Sequence, residues 1–130
     1  MAKVIAFGCF DGITPARLHH IKMAKEYGEL TMVIARDETV LAVKGKYPQS
    51  NEGERKRAVE ELAIADKVIL GSLENKYQAI ADERPDFVAL GYDQQVFVDN
   101  LSQAIEPHVR IVRLQPYTED GEIITKHEKC

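Results

Sequence analysis

The residues best suited to chemistry lie together in the segment GCFDGITPARLHH, residues 8–20. This segment combines glycines, an aspartate, a threonine, an arginine and two adjacent histidines, and it begins where an apolar run ends. Backbone amides at the start of a helix bind phosphate, and an arginine offers a fixed fork of donors for phosphate oxygens. The segment therefore predicts a phosphate-binding turn that opens a helix.

Five short apolar runs predict the strands that position this turn: residues 3–8, 30–35, 67–70, 86–90 and 109–114. Runs such as VIAFG do not alternate apolar and polar residues, which is typical of strands buried on both faces. Helical segments alternate with the strands. The pattern predicts an α/β fold, a Rossmann-like doubly wound five-stranded parallel sheet with helices on both faces.

Ligands of such sheets bind beyond the carboxyl ends of the strands, at the point where the winding reverses. This rule predicts a site after the first and fourth strands, where GCFDGITP and GYDQQ follow. The two segments are far apart in sequence, and the fold is expected to bring them to one edge of the sheet.

Local signals predict where the helices begin and end. Thr14 and Pro15 suit the N-cap and first position of a helix over residues 15–27, which Gly28 would close. The polar stretch 37–50 predicts one helical turn and a mobile loop. The next helix, GERKRAVEELAIA, follows a cap at Ser50 or Asn51.

Composition excludes several classes of protein. The 130 residues carry a formal net charge of -4 at pH 7, which gives no basic surplus for binding a nucleic acid. No apolar run approaches the roughly 20 residues that span a bilayer, and the first residues predict a strand, so we expect a cytoplasmic protein without a membrane partner. Cys9 and Cys130 lack zinc-site spacing, and we expect both to be free thiols.

The order of the motifs resembles the cytidylyltransferase-like nucleotidyltransferases, and most of all their small archaeal FAD synthases (FMN adenylyltransferases), which are similar to glycerol-3-phosphate cytidylyltransferases. The resemblance runs from residue 3 to about residue 117 and rests on GxFD, AKEYGEL, VIARDETV, KGKYP, EGER, DKVILGS and RPDFVALGYDQ. Enzymes of this kind transfer a nucleotidyl group from a nucleoside triphosphate to a phosphate or alcohol and release pyrophosphate.

This resemblance implies a single nucleotidyltransferase-like domain over residues 1–130, in which residues 116–130 form a polar C-terminal tail. It also implies a homodimer, and Mg²⁺ that arrives with the nucleotide. Nucleotide binding is assigned by resemblance to the residues that follow the first and fourth strands: Gly8, Cys9, Phe10, Asp11, Gly91, Tyr92, Asp93 and Gln94.

The chain departs from the family signature GTFDxxHxGH. A gapless count from Asp11 places Thr14 and Arg17 where the family has histidines, and Ala16 where it has a glycine. The adjacent pair His19 and His20 does not inherit the histidine role, because sliding the motif would shorten the following helix. A second departure is EIITKHEKC, where the family has a triphosphate-binding segment.

Positioning and charge stabilisation of phosphates carry most of the rate of such a transfer. On the resemblance, the catalytic candidates are Thr14, Arg17 and Lys44, the last from the KGKYP loop. Arg55 belongs to the segment EGER, residues 52–55, which serves either the chemistry or a dimer. No spacing of His, Cys or carboxylates predicts a metal site held by the protein.

Three functions remain open at this point. The first is an FAD-synthase-like nucleotidyltransferase that transfers AMP or CMP to a phosphorylated acceptor such as FMN. The second is a catalytically impaired homodimer that keeps the nucleotide pocket. The third is another reaction on the same scaffold, in which Arg17 contacts a different substrate; the retention of ARDETV and LGYDQ argues against it.

Overall fold

The computed structural model describes residues 2–75, 77–91, 107–119 and 122–123. These residues form the following elements in chain order: β1 (Lys3–Gly8), α1 (Pro15–Lys25), β2 (Glu29–Ile34), α2 (Asp37–Lys44), α3 (Glu52–Glu61), β3 (Lys67–Leu70), α4 (Gln78–Glu83), β4 (Phe87–Leu90), β5 (Arg110–Arg113), β6 (Thr118–Glu119) and β7 (Glu122–Ile123).

Five of the strands form one sheet in the order β3-β2-β1-β4-β5, and every neighbouring pair is parallel. The chain winds outward from β1 to β3 and then returns to the other side of β1 with β4. The winding therefore reverses between β1 and β4, where the predicted site lies. This architecture confirms the predicted fold class.

Both faces of the sheet carry apolar clusters. Helices α1 and α3 contribute Ile21 and Val59 to one cluster, and α4 contributes Ile80 to the other. Along β1, Val4 belongs to the first cluster and Ile5 to the second, and both are fully buried. Burial on both faces explains why β1 shows no apolar and polar alternation.

The predicted helix caps at Thr14 and Asn51 are confirmed. The Thr14 hydroxyl accepts a hydrogen bond from the Arg17 amide at 3.1 Å. The Asn51 side chain accepts from the Glu54 amide at 2.8 Å, and the Glu54 carboxylate accepts from the Asn51 amide at 3.0 Å. These bonds satisfy amides that a helix start leaves without a partner.

Three predicted helix ends differ from the structure. Helix α3 ends at Glu61 rather than at Ala65. Helix α2 has 8 residues rather than one turn, and it ends at Gly45, whose φ of 80° places it in the left-handed region. Helix α1 ends at Lys25, earlier than predicted. Gly28 follows in a turn, where its amide donates to the Lys25 carbonyl at 3.2 Å, and an added Cβ would lie 2.2 Å from the Ala2 carbonyl oxygen, just before β1.

The last described residues form a short antiparallel pair, β6 with β7, within the predicted polar tail. No helix in the described part of the chain is long and apolar enough to cross a bilayer.

Gly28 and Gly45 provide a matched pair for testing the close approach between β1 and the start of β2. We expect Gly28→Ala to lower the free energy of unfolding by about 3 kcal/mol or more, because backbone would have to move as well as adopt a strained φ of 144°. Gly45→Ala meets no atom within 4 Å and should cost about 1 kcal/mol. Urea unfolding measures both, and equal losses would contradict the close approach.

Candidate functional site

The turn after β1 has an unusual backbone that is set by two residues. Phe10 has a φ of 54° and Gly12 a φ of 97°, and the Gly12 amide donates to the Phe10 carbonyl at 2.9 Å. The Phe10 ring folds over Gly8, where an added Cβ would lie 2.3 Å from the ring. The buried Phe10 ring therefore packs against the start of the turn. The residues that follow it lie at the carboxyl edge of the sheet.

Asp11 binds the loop before α3. Its two carboxylate oxygens accept hydrogen bonds from the amides of Gln49, at 2.8 Å, and Ser50, at 2.9 Å. Burial alone would raise the pKa of Asp11, but these two amides and the charges of Arg55 and Arg17 outweigh it and hold the pKa below the ordinary value of 3.8. Asp11 is therefore an ionised anchor for this loop.

Arg55, near the start of α3, is 1% exposed and lies beneath the same turn. Its Nη1 donates to the Cys9 carbonyl at 2.8 Å, its Nε donates to the Ser50 carbonyl at 3.0 Å, and its Nη2 pairs with the Asp37 carboxylate at 2.7 Å. The side chain is buried within its own chain, and a role of the surrounding segment in a dimer stays a prediction of the sequence.

A second arginine secures the start of α2. Arg36 donates to the Glu52 carboxylate at 2.8 Å and to the Gly71 carbonyl at 2.8 Å. The other Glu52 oxygen accepts from the Asp37 amide at 2.9 Å. The amide of Asp37 and the side chain of Arg36 lower the pKa of Glu52, against the opposing effects of burial and the Asp37 charge. The N-cap residue of α2, Arg36, makes no side-chain capping bond, and Glu52 of α3 supplies the acceptor for the first amide of α2 instead.

Thr14 and Arg17 lie at the start of α1, as the motif count predicts. Thr14 is the N-cap, and the Arg17 guanidinium turns back onto the β1 turn, where Nη1 donates to the carbonyls of Asp11 at 2.8 Å and Gly12 at 3.0 Å. Arg17 is half-buried rather than extended into solvent. Its charge lies within reach of the turn predicted to bind phosphate.

The two histidines face different surroundings. The Nε2 of His19 lies 3.1 Å from the Gln115 carbonyl oxygen, and its ring contacts Tyr117 at 5.6 Å between centroids. The His20 ring meets Phe10 edge-on at 6.1 Å, and its Nε2 is buried with no hydrogen-bond partner among the described residues. Burial, together with the charge of His19, lowers the pKa of His20 to about 4.

The remaining candidates are only partly covered by the structure. Lys44 is exposed at the last position of α2, and Gly91 follows β4, where its carbonyl accepts from Arg113 at 2.9 Å. Three predicted nucleotide-binding residues after it lie outside the described residues: Tyr92, Asp93 and Gln94.

Cys9 is buried and disulfide-bonded, so the expectation of a free thiol is wrong for this residue. Cys130 lies outside the described residues. Within the described ranges, no group of three or more His, Cys, Asp or Glu side chains is arranged to hold a metal ion.

Sequence reasoning did not foresee the pairing of Arg36 with Glu52 or of Arg55 with Asp37. Their signal was present as charged residues directly after β2 and in the first turns of α3. Charges in such positions are usually solvated, so only the tertiary contacts distinguish these residues from an ordinary polar surface.

Comparison with known proteins decides the family. A family model described as "Cytidylyltransferase-like" matches residues 5–127. The chain belongs to the cytidylyltransferase-like family. Two curated relatives are similar over most of their length, and both carry the name FAD synthase. One, from Aciduliprofundum boonei, is 36% identical over 121 residues, which cover 90% of this chain and 80% of the relative.

The other curated relative, from Thermoplasma acidophilum, is 35% identical over 127 residues, 95% of this chain and 87% of the relative. A crystal structure described as the lipopolysaccharide core biosynthesis protein from Thermoplasma volcanium is 33% identical and superposes with a TM-score of 0.80. The superposition covers 91% of this chain and 99% of that protein. These findings confirm the resemblance that the motifs predicted.

For this family member, the anchoring role of Asp11 predicts a specific acid dependence. Asp11→Asn should lower the free energy of unfolding at pH 7 by about 1–3 kcal/mol, because an amide cannot accept from both backbone donors. The folded pKa lies below the unfolded value, so the stabilisation is present above about pH 4 and is lost as the pH falls further. Urea unfolding from pH 7 to pH 3 measures it, and a difference that does not shrink on acidification would contradict this assignment.

His20 should remain neutral until strongly acidic pH. We expect its imidazole to titrate near pH 4 in the folded protein, and we expect it to disfavour folding progressively as the pH falls from about 6.5, where the unfolded chain takes up the proton. Heteronuclear NMR of the ring measures the midpoint, and His20→Gln identifies the resonance. A midpoint near pH 6.5 would show that the ring is not buried against Phe10.

Proposed function

We propose that this protein is a nucleotidyltransferase of the FAD synthase type, which transfers AMP from ATP to FMN and releases pyrophosphate. The observation that carries the proposal is the similarity to two relatives named FAD synthase, each covered over at least 80% of its length. The family supports nucleotidyl transfer in general, and the relatives' name supports a flavin acceptor. Transfer of CMP to another phosphorylated acceptor is the alternative reaction, and the experiment below distinguishes it from transfer of AMP to FMN.

The proposed reaction joins two phosphate groups. A phosphate oxygen of the acceptor attacks the α-phosphorus, and the bond from that phosphorus to the bridging oxygen of the β-phosphate breaks. The leaving pyrophosphate takes up negative charge, so catalysis requires cations and donors at its oxygens. We assign this work to the turn after β1 and to Arg17, with Thr14 holding the start of α1 in position.

Arginine and histidine differ in what they contribute at this position. An arginine stays charged across the range in which a histidine titrates, and it offers a planar fork to phosphate oxygens. It does not act as a proton donor at neutral pH. We propose that Arg17 stabilises charge on the phosphates in place of the family's second histidine and that Lys44 contributes a second positive charge.

The described carboxylates do not fit a protein-held Mg²⁺ site, since Asp11, Asp37 and Glu52 each accept from backbone amides or an arginine. Mg²⁺ binds such sites largely through substrate phosphates, and we propose that it arrives with the nucleotide. A homodimer and a cytoplasmic location stay predictions of the sequence. The alternative of a catalytically impaired binding protein is not favoured by the relatives.

The first experiment measures pyrophosphate release from ATP and CTP with Mg²⁺, with FMN and glycerol 3-phosphate as acceptors. Turnover of ATP with FMN supports the proposal. Turnover of CTP with glycerol 3-phosphate instead would show that the protein is a nucleotidyltransferase with other substrates than those proposed. Calorimetric titration of each nucleotide runs in parallel. Micromolar binding without turnover of any pair would favour the impaired binding protein.

The Arg17 assignment predicts a distinctive pH profile. We expect Arg17→Met to lower kcat by about 10²-fold or more, because it removes a positive charge from the leaving phosphates. Arg17→His should recover part of the loss and introduce a pH limb. Arg57→Met, an exposed position on α3, is the control. Full activity in Arg17→Met, or the same pH profile in Arg17→His and the wild type, would contradict the assignment, since both proteins use the same acceptor phosphate.

A further inference from the structure

Arg55 is the one charged side chain that is buried in the described part of the chain. A buried charge is costly unless it is paired and its donors are used. In this case, the guanidinium bonds to three separate segments: the turn after β1, the start of α2 and the loop before α3. This side chain therefore connects elements that the sheet alone does not connect.

The two contacts outside the β1 turn mark the ends of one continuous segment. Asp37 is the first residue of α2, and Ser50 ends the loop that follows α2. Between them lie α2 and the KGKYP loop, with Lys44 at their junction. The same guanidinium thus binds both ends of the segment that carries Lys44.

Ser50 is held from two sides. Its carbonyl accepts from Arg55 at 3.0 Å, and its amide donates to the Asp11 carboxylate at 2.9 Å. Arg55 also binds the Cys9 carbonyl at 2.8 Å, only two residues before Asp11. The turn predicted to bind phosphate and the end of the Lys44 segment are consequently joined by two independent contacts.

We propose that Arg55 is a positioning residue, which sets the Lys44 segment at a fixed distance from the turn after β1. The proposal rests on the proposed function, because it assigns both parts to the nucleotide phosphates. Lysine cannot substitute, since one ammonium group lacks the planar fork that reaches three acceptors in different directions. A small displacement of such groups is enough to reduce turnover strongly.

The test compares Arg55→Lys and Arg55→Met with Arg57→Lys and Arg57→Met, which change an exposed arginine on the same helix. Hydrogen exchange measures the exchange rates of the Gln49 and Ser50 amides, with the Ile5 amide in β1 as an internal reference. Steady-state kinetics reports kcat and KM, and calorimetry reports ATP binding. All are measured at a temperature at which circular dichroism and a cooperative urea transition show a folded protein.

We expect Arg55→Lys to speed exchange of the Gln49 and Ser50 amides about tenfold or more, without change at Ile5. We expect kcat to fall by about 10²-fold with a smaller change in KM. The Arg57 variants should match the wild type. Arg55→Lys preserves the charge and is the variant that decides the proposal if Arg55→Met does not fold.

Any of three results would overturn the proposal. One is unchanged exchange at Gln49 and Ser50 in folded Arg55→Lys. Another is faster exchange with unaltered kcat, and the third is a loss of melting temperature alone, either of which would mark a merely structural residue. If the wild-type protein turns over no substrate pair, the proposed function fails. The positioning role of Arg55 is then tested by the amide exchange and by whether Arg55→Lys weakens ATP binding relative to Arg57→Lys.

Discussion

Burial of a guanidinium group is costly unless its charge is paired and its nitrogens donate to acceptors, and this requirement organises the carboxyl edge of the sheet. Arg55 meets it with two backbone carbonyls and one carboxylate, from segments before α1, at the start of α2 and before α3. Because each partner lies on a different segment, the three cannot move independently while the charge stays paired. The site is therefore held by a few polar contacts added to the apolar clusters beneath it.

The fold could be predicted from sequence because its signals are local. Apolar runs without alternation indicated strands buried on both faces, and Thr14 and Asn51 marked helix starts by side chains that bond to amides three residues on. The length of α2 was missed because its cap is not local. Its first amide is satisfied by Glu52, 15 residues further along the chain, and no pattern within residues 37–50 records that bond.

The tertiary partners of the candidate residues could not be predicted from the sequence. Asp11 and Arg17 were singled out by the motif, yet the structure shows Asp11 bound to the amides of Gln49 and Ser50, at a separation of 38 and 39 residues. Such pairings depend on how close two loops come after the sheet has formed. Cys9 illustrates the same limit, since spacing indicated a free thiol and the structure has a disulfide-bonded sulfur.

In the proposed function, Thr14 and Arg17 replace the two motif histidines with one structural and one electrostatic role. At the first position, the local structure requires an acceptor for the amide of residue 17, and the Thr14 hydroxyl supplies it. At the second, the reaction requires positive charge near the leaving phosphates, and a guanidinium carries that charge without depending on pH. Arg17 is already oriented by the carbonyls of Asp11 and Gly12. Both of these bonds use Nη1, and they direct the guanidinium toward the turn where the proposed function places the phosphates.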